Sequence, residues 1–120
     1  LHARSNGRGL QKMLRLLGNS EAQGQALAHA LRGVLCQALL PSQQGNRYHL
    51  ATECLTINPA VGAMIEEGDL GAIRAHMNAG RGPGCHTMNS VLEALLAAHK
   101  VGVDDARAAT TDRIGFAEMV

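Results

Sequence analysis

The sequence predicts a mainly α-helical chain that carries one β-hairpin. Three observations predict this class. Alanine and leucine dominate the apolar content, and Tyr48 and Phe116 are the only aromatic residues, which favours helix over sheet. Apolar residues recur at helical spacing through most of the chain. Residues 47–57 (RYHLATECLTI) break that rhythm with strand-like tyrosine, threonine and isoleucine behind the polar turn SQQGN.

At 120 residues the chain has the length of one typical domain and can bury roughly two-thirds of its unfolded surface. Without large rings each buried side chain gains little, so close helix packing has to supply the stability. Ser5 and Asn6 are good N-caps for a first helix with Leu10, Met13, Leu14 and Leu17 on one face, and Gly18 can stop it. Ser20 with Gln23 forms a capping-box pattern. Leu27, Leu31, Val34, Leu35 and Ala38 then continue one face, so a second helix is expected over residues 20–36, ending before Pro41. Residues 37–41 and 47–57 are expected to pair as a hairpin, which is marginal in water and wants further partners.

From Asn58 the pattern turns purely helical. Asn58-Pro59 supplies an N-cap and a first-turn proline; Val61, Met64 and Ile65 form the buried face and Gly68 ends it. Asp69 caps a helix with Leu70, Ile73 and Met77 before Gly80. Thr87 caps the clearest stripe, Met88, Val91, Leu92, Leu95 and Leu96. Asp104 and Asp112 are expected to start two short helices.

Composition excludes several function classes. A formal charge of +1 gives no strong whole-domain field for nucleic acid or membrane. Cys36, Cys54 and Cys85 are odd in number and lack CxxC spacing, which argues against a disulfide framework and for a reducing cytoplasm. They read as small buried hydrophobes, and Met13, Met64, Met77 and Met88 as core residues. The six histidines show no HxxxH pattern, so no metal site is expected. No apolar run approaches the ~20 residues that span a bilayer. The start at Leu1 rather than methionine suggests a fragment or a processed product.

Residues 56–95 hold three helix starts and two helix stops, and they carry a family resemblance. The segment INPAVGAMIEEG is similar to a helix rich in isoleucine and arginine that follows an asparagine-proline or threonine-proline turn in the type II/IV secretion-system traffic ATPases. GCHTMNSVLEAL resembles that family's later glycine-x-glutamine-threonine-methionine-aspartate helix start, and Leu1-His2 sits where the family ends its histidine box. The likeness covers nearly the whole chain in the family's order, and the twitching-motility pilus-retraction ATPases and their conjugative and type IVB relatives are the nearest branch.

The resemblance implies that residues 1–57 are the tail of a RecA-like P-loop core and that residues 58–120 are a helical C-terminal bundle. It implies a hexameric ATPase, with ATP and Mg²⁺ bound by the upstream core. It also implies inner-membrane pilus or secretion platform proteins as partners, a cytoplasmic location peripheral to the inner membrane, and no nucleic acid. His2 would contact the nucleotide phosphates. Asn58, Pro59, Ala60 and Glu67 would belong to the coupling helix, and Gly84, Thr87, Met88 and Asn89 to the C-terminal motif. Four positions depart from the family: Ala3 replaces the second threonine of the histidine box, Gly62 and Glu66 replace arginines important for retraction, and Asn89 replaces an aspartate. With these departures a secretion or conjugative-pilus ATPase is at least as strong an expectation as a retraction motor.

The residues set limits of their own. P-loop hydrolysis needs GxxxxGK[ST], which the sequence lacks, so the chain alone is expected to be inactive. Gly80-Arg81-Gly82-Pro83-Gly84 imitates it weakly, without a preceding strand or a lysine, and reads as a helix stop and connector. Arg8, Lys12 and Arg15 share one face of the first helix, either as a solvated face or as a contact for an acidic neighbour; Glu66, Glu67 and Asp69 could supply such acidity. A free-standing, non-catalytic interaction module derived from such an ATPase is the alternative reading.

Overall fold

The computed structural model describes residues 3–18, 20–80 and 82–120. His2, the histidine-box residue, lies outside them. The described elements run α1 (Asn6–Leu16), α2 (Glu21–Ala30), β1 (Gly33–Pro41), β2 (Tyr48–Thr56), α3 (Pro59–Glu67), α4 (Leu70–Asn78), α5 (Met88–Ala97), α6 (Val103–Ala109) and α7 (Arg113–Met119). The mainly α class with a single antiparallel hairpin is what forms.

Side-chain caps start most of the helices where the sequence places them. The side-chain oxygens of Ser5, Ser20, Asn58, Asp69, Thr87 and Asp112 each accept a hydrogen bond from the amide three residues on, which satisfies one of the orphan donors of a first turn. Gly68 ends α3 in the left-handed conformation at φ 67°, as an αL stop requires. Asp104 does not cap α6. The cap is Gly102, without a side-chain bond, and Asp104 and Asp105 lie within the first turn.

The second helix is shorter than expected. It ends at Ala30, and the chain is extended from Gly33. Val34, Leu35 and Ala38 fit a helical face, but the run from Val34 to Leu40 is apolar at every position except Gln37, so periodicity alone does not separate helix from strand, and pairing with β2 decides. Gly33 to Pro41 lies opposite Thr56 to Tyr48 in unbroken register. One face of the hairpin turns inward with Val34, Cys36, Ala38 and Leu40 opposite Leu55, Glu53, Ala51 and His49. The other face carries Leu35, Leu39, Tyr48 and Leu50, all exposed.

Two apolar cores sit side by side along the inward face, in a body of 50 × 25 × 23 Å. The first joins Leu10 and Leu14 of α1 and Leu27 of α2 to Leu55, Val61, Ile65, Ile73 and Met77. The second joins Leu40 and Ala51 to Met88, Leu92, Val101, Ala106 and Phe116. The first core therefore takes residues from both sides of position 57.

Within it, α2 and α3 lie close enough for backbone contact. A Cβ on Gly24 would sit 3.4 Å from the Glu66 carbonyl oxygen, and one on Gly62 would sit 3.9 Å from that of Ala28. Gly62 is buried, and Glu66 reaches His29 of α2 at 3.7 Å. Both positions that depart from the family's arginines thus face α2. Gly62→Arg is expected to wedge the two helices apart and to lower stability by about 1–3 kcal/mol, measured by urea denaturation. Ala60→Arg on the exposed side of the same helix is expected to change it by less than about 0.5 kcal/mol.

Candidate functional site

Glu53 organises the centre of the molecule. It points inward from β2 between the two cores and is 8% exposed. One carboxylate oxygen accepts from the backbone N–H of Asn6 at 2.8 Å, and the other accepts from that of Met88 at 3.3 Å. These are the first amides of α1 and α5. A single negative charge therefore meets the positive ends of two helices, one from each core. Cys36 stands opposite Glu53 in the register, and burial pushes its thiol up, with the neighbouring carboxylate charge adding to the effect.

Around this centre the C-terminal motif residues find their places. Thr87 caps α5 by accepting from the Ser90 amide, and Met88 is 3% exposed and packs in the second core. Asn89 reaches across to the α6–α7 turn. Its amide nitrogen donates to the Asp112 carbonyl at 3.0 Å, while its side-chain oxygen accepts from the hydroxyl of the buried Thr110. An aspartate, the family's usual residue here, is an acceptor only when ionised and could not make the first of these bonds.

Gly84 has φ 70°, and its carbonyl accepts from both the amide and the hydroxyl of Thr56. An added Cβ would collide with that hydroxyl. His86 pairs with Cys54 through two backbone bonds of 3.0 Å, and its ring meets Thr52 at 2.8 Å. Residues 84–86 thus extend the sheet on the β2 side, giving the hairpin one of the partners it lacked. The glycine-rich connector follows α4, not a strand, and the Gly84 carbonyl is bound to the sheet.

The coupling-helix residues lie elsewhere. Asn58 caps α3 by accepting from Val61 at 2.8 Å, Pro59 opens the helix, and Ala60 and Glu67 are exposed at its two ends. The candidate residues are therefore spread along α3 and around the start of α5, and they do not converge on one reaction centre. Among the described residues no group of three His, Cys, Asp or Glu could hold a metal ion, and no helix is long and apolar enough to cross a membrane.

A groove of about 760 Å³ opens beside Glu53, between α1, α4, α5 and α7, and four arginines line it: Arg4, Arg8, Arg74 and Arg113. Sequence reasoning singled out Arg8 alone of these, with Lys12 and Arg15, and missed Glu53. The available signal for Glu53 was a lone carboxylate two residues from Ala51 and from Leu55, the apolar period of an inward strand face.

The comparisons agree with this architecture. No protein-family model matches the chain. The crystal structure of the pilus retraction motor PilT with bound ADP superposes with a TM-score of 0.84 at 26% sequence identity, covering 98% of this chain and 33% of that one. A twitching motility protein of Neisseria gonorrhoeae is 30% identical over 90 residues, which is 75% of this chain and 24% of that protein. Nearly the whole chain is thus similar to a part of a pilus retraction motor, and three quarters of it to a part of a twitching motility protein. The chain spans about a quarter of the length of the twitching motility protein and a third of that of the retraction motor. Relative to the traffic ATPase pattern, Gly62, Glu66 and Asn89 are explained by local packing: the first two meet α2, and the third ties α5 to the turn before α7.

Two substitutions test the centre. Glu53→Ala leaves two helix-terminal amides and a buried strand position unsatisfied, and is expected to cost about 3 kcal/mol in urea denaturation, with Glu53→Gln costing less because one acceptor survives. Asn89→Asp is expected to cost about 1–2 kcal/mol on the same measurement, through the lost bond to Asp112 and a carboxylate facing a carbonyl oxygen.

Proposed function

We propose that this chain is the C-terminal part of a hexameric ATPase that powers type IV pilus dynamics or type IV or type II secretion. In this reading residues 1–57 end the RecA-like core and residues 58–120 form the bundle that responds to it. ATP and Mg²⁺ belong to the upstream core, and the chain alone does not hydrolyse ATP. The observation that carries the reading is the match to the retraction motor over nearly the full length of this chain. The exposed apolar face of the hairpin adds support, because Leu35, Leu39, Tyr48 and Leu50 suit a surface covered by upstream polypeptide.

The coupling role is assigned to α3. It shares the first core with α1 and α2, so a displacement of the segment after His2 is transmitted through packed side chains to α3 and α4. His2 is assigned to the nucleotide phosphates: as a neutral imidazole it would donate one hydrogen bond there. Glu67, exposed at the end of α3, is assigned to a contact outside the chain. The protein would work in the cytoplasm against inner-membrane pilus or secretion platform proteins, as a homo-oligomer peripheral to the membrane.

Steady-state kinetics of the whole parent protein and of this 120-residue chain test the reading. The chain alone is expected to show no turnover at any Mg²⁺ concentration. In the parent, His2→Ala is expected to lower kcat by about tenfold or more with KM little changed. Glu67→Ala is expected to leave hydrolysis intact while reducing pilus function or secretion. ATP turnover by the isolated chain that survives His2→Ala would place the catalytic site elsewhere and overturn the reading.

A further inference from the structure

The chain carries a net charge of only +1, yet four arginines collect on one groove. Arg4, Arg8, Arg74 and Arg113 come from the segment before α1, from α1, from α4 and from the first turn of α7. All four are exposed, and among the described residues none of the four is in an ion pair. Two carboxylates line the same groove, but both are already engaged by backbone amides. Glu53 accepts from Asn6 and Met88, and Asp112 accepts from Gly115 at 3.1 Å. The cations are left to an outside partner.

The rest of the lining selects that partner. The groove also contains half-buried Leu70 and Ile114, which is 77% exposed beside Arg113. Among the described residues no aromatic ring lines it: Tyr48 lies on the outward hairpin face, and Phe116 is buried in the second core. A nucleic-acid base would therefore find no stacking platform. A phosphate ion would use the guanidinium groups and leave Leu70 and Ile114 in water. An acidic amphipathic protein segment uses both, with carboxylates on the arginine forks and apolar side chains on the Leu70–Ile114 rim.

We propose that this groove is a docking site for an acidic amphipathic segment of a partner protein. The charge is local, so the contact acts at close range, with little long-range attraction, and weakens as salt rises. The site does not depend on whether the parent hydrolyses ATP.

Fluorescence anisotropy at physiological salt tests this with the full chain and a labelled helical peptide of Leu-Glu-Glu-Ala repeats. Binding is expected, and replacing the peptide's leucines by serine is expected to weaken it about tenfold. The Arg8→Glu/Arg113→Glu double variant is expected to lose about tenfold or more, Arg74→Gln about threefold and Ile114→Ser about fivefold. Arg15→Glu/Arg32→Glu, outside the groove, is expected to change binding less than about twofold. Circular dichroism confirms that each variant remains folded, and Arg74→Gln on the exposed side of α4 serves where the double variant does not. Absence of binding, equal loss in Arg15→Glu/Arg32→Glu, or tighter binding of pyrophosphate or single-stranded DNA than of the peptide would each overturn the proposal. So would peptide-independent self-association that occupies the groove and is abolished by Arg8→Glu/Arg113→Glu.

Discussion

One carboxylate holds the two halves of this molecule in register. Glu53 accepts the first amide of α1 from one core and the first amide of α5 from the other. Its position on the inward face of β2, between Ala51 and Leu55, is where the apolar packing changes hands. A neutral side chain there could fill the space but could not satisfy both helix ends. The charge is tolerated because it is bonded on both oxygens and faces two aligned helix dipoles. The relative placement of α1 and α5, and so the shape of the arginine groove between them, follows from that arrangement.

The departures from the traffic ATPase pattern become intelligible on the same grounds. A long cationic side chain at position 62 would need space that α2 occupies, and Glu66 faces a histidine of that helix. The surface that α3 gives up by docking on α2 is unavailable to an external partner, whereas Glu67 at its end stays accessible. At position 89 an amide performs what a carboxylate cannot, donating to one backbone and accepting from Thr110. A family motif can therefore keep its backbone role while its side chains are reassigned to internal contacts.

Much of this was legible because the signals are local. The caps at Ser5, Ser20, Asn58, Asp69, Thr87 and Asp112 depend on residues three positions apart, and they form as the spacing predicts. The end of α2 was not legible, since Val34, Leu35 and Ala38 fit a helical face while the nearly continuous apolar run around them suits a strand equally; only pairing with β2 decides. Glu53 and the groove were hidden for the same reason. Arg4, Arg74 and Arg113 are distant in sequence and meet only after both cores have formed. The division near residue 57 reads clearly as a change of pattern, although the first core draws on both sides of it.

The hairpin has one further consequence. On the β2 side, residues 84–86 bond Cys54 and Thr56, but among the described residues β1 has no strand on its other edge. That open edge runs beside Leu35 and Leu39, exposed by 55% and 70%. An unpaired edge next to an apolar face is a template for intermolecular strand addition. Released from any covering polypeptide, the molecule would carry its own nucleus for aggregation, so its colloidal behaviour would be set by nine residues of strand more than by its near-neutral charge.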